Sequence, residues 1–80
     1  MNTSEAVKNR IIELCVAKKW AFNALARYAG IPSSTMKNIV NGTSQNPGIV
    51  TIKKICDGLG ITLGEFFSTP TFNNLEQEIK

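Results

Sequence analysis

The chain has no histidine among its 80 residues. That removes the side chain best suited to proton transfer near neutral pH. Cysteine is scarce as well, with Cys15 and Cys56 alone. Two thiols without histidine make a poor zinc site. Both fall on or beside apolar helix faces, so they read as small core residues rather than as a bridge or metal pair. A Gly-rich phosphate loop is missing. The carboxylates Glu5, Glu13, Asp57 and Glu65 are scattered over helix ends and exposed faces. No nucleophile–base pair forms, so no catalytic residue, cofactor or metal is expected. No apolar run is long enough to cross a bilayer, and no signal-peptide pattern is visible. The expectation is a soluble, reduced, cytoplasmic protein with no membrane partner. Strand patterns, internal repeats and low-complexity tracts are also wanting.

What is present is helical periodicity and an excess of positive charge. The net charge is +3. Residues 1–68 hold eight basic side chains against four acidic ones, a balance of +4, which leaves the tail slightly acidic. Such an excess suits a polyanion. A chain of this length makes one modest core without needing staples.

The stretch from Ala24 to Gly42 organises the rest. It reads as two short helices joined by a tight turn. Leu25, Ala26 and Ala29 form the apolar face of the first. Gly30 stands where a helix ends in a left-handed residue, a conformation cheap only for Gly. Ile31 turns back to the core, and Pro32 sets the backbone for a new helix. Met36, Ile39 and Val40 face inward on that second helix. Ser33, Ser34, Lys37, Asn38 and Asn41 face outward, and none is a carboxylate. A rigid helix with this face suits the major groove of DNA.

The remaining segments support that pair. Asn2-Thr3-Ser4-Glu5 offers a helix start, with Thr3 or Ser4 as the cap. The first helix runs to about Lys18 or Lys19, with Val7, Ile11, Leu14 and Lys18 in one stripe. Ile12 and Val16 lie on a nearly opposite face, so either the C-terminal tail or a second subunit is expected to cover them. Trp20 reads as a core anchor at the next corner. Ala21 is a poor cap for the second helix. Phe22, Asn23 and Arg27 begin that helix on its solvent side, where Asn23 and Arg27 could meet one phosphate. After the polar turn Thr43–Gly48, Ile52, Ile55, Cys56 and Leu59 define a fourth helix, with Gly58 and Gly60 marking its end. Thr62-Leu-Gly-Glu65 is a capping box for a short fifth helix, with Leu63, Phe66 and Phe67 turned inward. Beyond the Pro70 break, Phe72, Leu75 and Ile79 are spaced for a docked sixth helix.

Residues 8–68 resemble the Cro/lambda-repressor-like (XRE-type) helix-turn-helix domain. The resemblance rests on Leu25-Ala26, Gly30, Ser34-Thr35-Met36, Ile39, Asn41-Gly42, Asn46-Pro47, Ile52…Ile55, Leu59-Gly60-Ile61 and Glu65-Phe66-Phe67. It implies an all-α fold, a compact five-helix helix-turn-helix bundle over 1–68. Residues 69–80 are left as a tail or short docked helix. It implies base contacts from Ser33, Ser34, Lys37 and Asn38. Backbone contacts are implied at Phe22, Asn23, Thr35, Asn41, Thr43, Ser44 and Gln45, beside the Arg27 reading above. Many relatives carry Gln where this chain has Phe22, so only the Phe22 backbone N–H could serve a phosphate. Many also pair an Arg with a Glu at the positions of Cys15 and Val40; here an apolar contact is expected between these two side chains. The functional expectation is a small transcriptional regulator. It would bind double-stranded DNA sequence-specifically with its third helix in the major groove, as a homodimer through the Ile12/Val16 face or the tail. The alternative is a protein-interaction module of the same fold, antitoxin-like or serving a larger regulator, without base readout.

Overall fold

The computed structural model describes residues 2–79. Among them lie six helices and no strand: α1 (Thr3–Lys18), α2 (Phe22–Ala29), α3 (Ser33–Val40), α4 (Ile49–Leu59), α5 (Leu63–Phe67) and α6 (Pro70–Asn73). One apolar cluster holds them together. Ile11, Leu25, Met36, Ile55, Cys15, Cys56 and Phe66 are its fully buried members, and no polar side chain among the described residues is buried with them. Each large aliphatic or aromatic side chain sunk this way contributes about 1.5–3 kcal/mol. Both thiols are unpaired and lie inside this cluster. Burial pushes the pKa of each above its ordinary value, which keeps them protonated and unreactive. Val40 packs against the same cluster as Cys15, with no charge at either position.

The start of α1 differs from expectation. Asn2 is the cap, its side-chain oxygen accepting from the Glu5 amide at 2.9 Å. The helix begins one residue before a Thr3 cap and two before a Ser4 cap would place it, so Thr3 and Ser4 sit inside its first turn. Three helices end alike, with a left-handed residue followed by an amide that reaches back five positions. Trp20 N–H donates to Cys15 O at 2.9 Å, Ile31 N–H to Ala26 O at 3.1 Å and Ile61 N–H to Cys56 O at 3.0 Å. The left-handed residues are Lys19, Gly30 and Gly60. Lys19, at φ 58°, is the one with a side chain.

The turn that carries α3 is fixed by α2, and α2 is fixed by α4. Gly58 lies inside α4 and does not end it. A Cβ there would stand 2.9 Å from the Ala29 amide nitrogen and 2.9 Å from the Tyr28 carbonyl carbon. The two helix backbones therefore touch, and glycine is the residue that lets them. On the other side of the core, the Arg10 guanidinium closes the end of α5. It donates to the Phe66 carbonyl at 2.8 Å and to the Glu65 carbonyl at 2.9 Å, and it pairs with Glu13. The capping box of α5 forms as read, with Thr62 and Glu65 exchanging bonds at 3.0 and 3.1 Å.

The tail docks through Phe72 alone of the three spaced residues. Its ring meets Phe67 edge-on at 5.0 Å and lies 6.1 Å from Phe66. Leu75 is half-buried and Ile79 is 87% exposed. Asn74 closes the single turn of α6 by donating to Pro70 O from both backbone and side chain, so the stripe never completes. α6 rests near Ala6, Arg10 and Glu13. The tail thus leaves Val16 at 71% exposed, with Ile12 half-buried. Trp20 is half-buried against the core, with its ring stacked 4.7 Å from Tyr28 and Lys18 Nζ 5.0 Å from its centre.

Gly58→Ala is expected to lower stability by about 1–3 kcal/mol, despite alanine's better helix propensity. Gly64→Ala, where a Cβ would meet nothing closer than Thr62 Oγ1 at 3.7 Å, is expected to be neutral or stabilising. Lys19→Gly is expected to stabilise by about 1 kcal/mol, because it relieves a left-handed side chain. Urea midpoints for the three variants check these signs.

Candidate nucleic-acid interface

The α2–α3 turn is built from its backbone. Gly30 at φ 69° reverses the chain, and Pro32 at φ −61° and ψ 145° starts α3. Met36 and Ile39 are buried on the inner side of α3, and Val40 is half-buried beside them. That anchoring dictates what points away. Ser33, Ser34, Lys37 and Asn38 are all exposed, as the 3.6-residue period requires. The structure therefore brings the four expected base-contact residues onto one open face.

The flanking residues divide. Asn23 and Arg27 are exposed on α2, while Thr35 is half-buried at the first turn of α3. Phe22 is not on the solvent side as the sequence suggests. Its ring is half-buried and packs against the core, because an apolar ring at the first position of α2 gains more there than in water. The loop after α3 is tied down at two points. Asn41 is exposed, yet its side-chain oxygen accepts from the Thr43 amide at 2.9 Å. The Ser44 amide donates to the Asn38 carbonyl at 2.9 Å. Asn41 is thus partly committed to shaping the loop, which holds Thr43 and Gln45 exposed and Ser44 half-buried beside the end of α3.

Capping separates the helices into two kinds. α1 and α5 have side-chain caps; α2, α3, α4 and α6 start at Ala21, Pro32, Gly48 and Thr69 with none. Neither α2 nor α3 carries an acid in its first turn. The amides at those two starts keep their dipole uncompensated by side chains, the electrostatic condition for an anion site. The charge distribution follows suit. From Leu14 to Cys56 the sequence holds six cations and no carboxylate. This acid-free run is a signal the side-chain reading of α3 alone does not use. Arg10 also went unread, since its carbonyl partners lie 55 and 56 residues away. Among the described residues no group of acids and thiols could hold a metal ion, and no helix is long and apolar enough to cross a membrane.

Comparison with known proteins agrees with this geometry. A family model described as the Cro/C1-type HTH DNA-binding domain matches residues 10–71. The crystal structure of the prophage Lp1 protein 11 is similar, with a TM-score of 0.80 at 36% identity. The match covers 94% of this chain and 100% of that one. No curated protein matches the chain. With two short helices locked at a glycine turn, the second presenting a cationic and polar face free of carboxylates, the chain belongs to the Cro/C1-type helix-turn-helix DNA-binding domains.

Proposed function

We propose that this domain binds a specific duplex sequence by laying α3 in the major groove, and that it acts as a small transcriptional regulator. The exposed row Ser33, Ser34, Lys37 and Asn38 carries the reading. Lys37 can donate to guanine O6 and N7. Asn38 can exchange two hydrogen bonds with adenine, and the serines can donate or accept. Phosphates meet the uncapped starts of α2 and α3, where Phe22 offers its backbone N–H and Asn23, Arg27 and Thr35 offer side chains. The ordered loop adds Thr43, Ser44 and Gln45, with Asn41 holding its shape. No chemistry is involved: occupancy of the site blocks or recruits other proteins. A single interface this small gives modest affinity. Two copies on half-sites about 34 Å apart on one face of the duplex give more. Cytoplasmic residence follows from the DNA target.

One observation keeps a second reading in view. Val16 is 71% exposed and uncovered by the tail. That face would serve a module that binds a protein and reads no bases, or the dimer partner of a DNA-bound copy. Salt separates the two. Affinity for duplex DNA should fall steeply, about tenfold or more between 50 and 200 mM salt, if several phosphates are neutralised.

The deciding experiment selects bound duplexes from a random pool with the unmodified protein and with Lys37→Ala and Asn38→Ala. The unmodified protein should yield a defined motif. Each variant should lose discrimination at its own base positions, by about 1–3 kcal/mol per contact. Both side chains are exposed, so unfolding midpoints should stay within about 0.5 kcal/mol of the parent. An unselective pool from the unmodified protein contradicts the proposal.

A further inference from the structure

The tail carboxylates Glu76 and Glu78 stand on a cleft that the loop after α3 also lines. An open cleft of about 640 Å³ lies between the start of α1, the loop after α3 and the tail. Thr3 stands on one wall, Gln45 and Asn46 on a second, and Glu76 and Glu78 on the third. The tail is held at both ends of this crossing. Phe72 is docked against Phe66 and Phe67, and Thr3 Oγ1 donates to Glu78 Oε2 at 2.8 Å. Gln45 also lines the neighbouring hollow with Ser44, Lys8 and Glu5, so it borders both hollows, and on that side one cation offsets one carboxylate.

We propose that residues 74–79 are an electrostatic strap that holds two carboxylates beside the phosphate-facing loop and weakens DNA binding until it is released. The inference rests on the DNA-binding reading above and adds a regulator within the chain itself. A phosphate approaching Gln45 at the cleft wall enters a cleft that both carboxylates also line, and their field reaches over a Debye length of about 8 Å at physiological salt. Like charges repel, and among the described residues no cation lines this cleft, while Lys8 stands with Glu5 in the neighbouring hollow. The single Thr3–Glu78 hydrogen bond is exposed. Exposed bonds of this kind are weak enough to open locally on binding.

The test is duplex affinity of the full chain and its variants, using a random-sequence duplex of about 30 base pairs, or three turns. At about 50 mM salt, Glu78→Gln should bind about threefold more tightly than the parent and Glu76→Gln with Glu78→Gln about tenfold. The gap should close as salt rises to about 300 mM. Thr3→Val, which unlatches the strap with no change of charge, should gain about twofold by freeing the carboxylates to leave the cleft. Asp57→Asn is the control. It removes one negative charge on α4, outside the cleft, and should leave affinity unchanged. Equal affinity of parent and glutamine variants, with the parent binding DNA, overturns the strap while leaving the DNA reading intact. A gain in Asp57→Asn as large as in Glu78→Gln overturns it too, as a mere net-charge effect. If neither parent nor any variant binds duplex DNA, the DNA reading fails and the strap fails with it.

Discussion

The backbone contact between α2 and α4 at Gly58 is the constraint from which the interface follows. Ala29 and Tyr28 pass too close to α4 for any side chain at that position. This sets where α2 ends in space, and the turn at Gly30 begins one residue later. From there α3 has little freedom. Its inner face is claimed by Met36 and Ile39, and its outer face is whatever the helical period leaves. The exposure of Lys37 and Asn38 is thus the far end of a chain of packing that starts with a missing methyl group. Groups that must meet base edges need this kind of support, because a loosely held helix would lose its contacts to small rotations.

The fold satisfies its backbone unevenly. Side chains close the ends of two helices: Asn2 at α1, the Thr62–Glu65 box at α5 and Arg10 across the carbonyls of Phe66 and Glu65. At the starts of α2, α3, α4 and α6 no side chain does so. The missing caps cost α2 and α3 some intrinsic stability, of the order of 1 kcal/mol each by ordinary substitution values. Their packing against α4 and the core makes up the difference. The uncapped starts of α2 and α3 and the acid-free sequence from Leu14 to Cys56 all fall within residues 10–71, the span of the DNA-binding family match.

Much of this was legible in the residues. Gly30 before Ile31 and Pro32 announced the turn, because a left-handed position followed by a helix start leaves few other readings. The Thr62–Glu65 box and the Ile52, Ile55, Cys56, Leu59 stripe are local patterns with local causes, and they appear as read. What failed to show has tertiary causes. Gly58 looks like a helix end until a second backbone is brought against it. Phe22 looks like a surface residue until the core is seen to extend to the start of α2. Phe72, Leu75 and Ile79 have the spacing of a docked stripe, but Asn74 ends the turn and only Phe72 finds aromatic neighbours. The roles of the α3 side chains, by contrast, came from the chemistry of base recognition and from resemblance, with the fold supplying their common orientation.

The central claim is that the outward face of α3 is the surface that meets the duplex. Amide chemical shifts recorded while a tight-binding duplex is titrated into labelled protein address it residue by residue. The account predicts the largest changes at Ser33, Ser34, Lys37 and Asn38, with smaller ones at Thr43, Ser44 and Gln45. Shifts centred instead on Val16 and Tyr28, with the α3 amides unmoved, would contradict it.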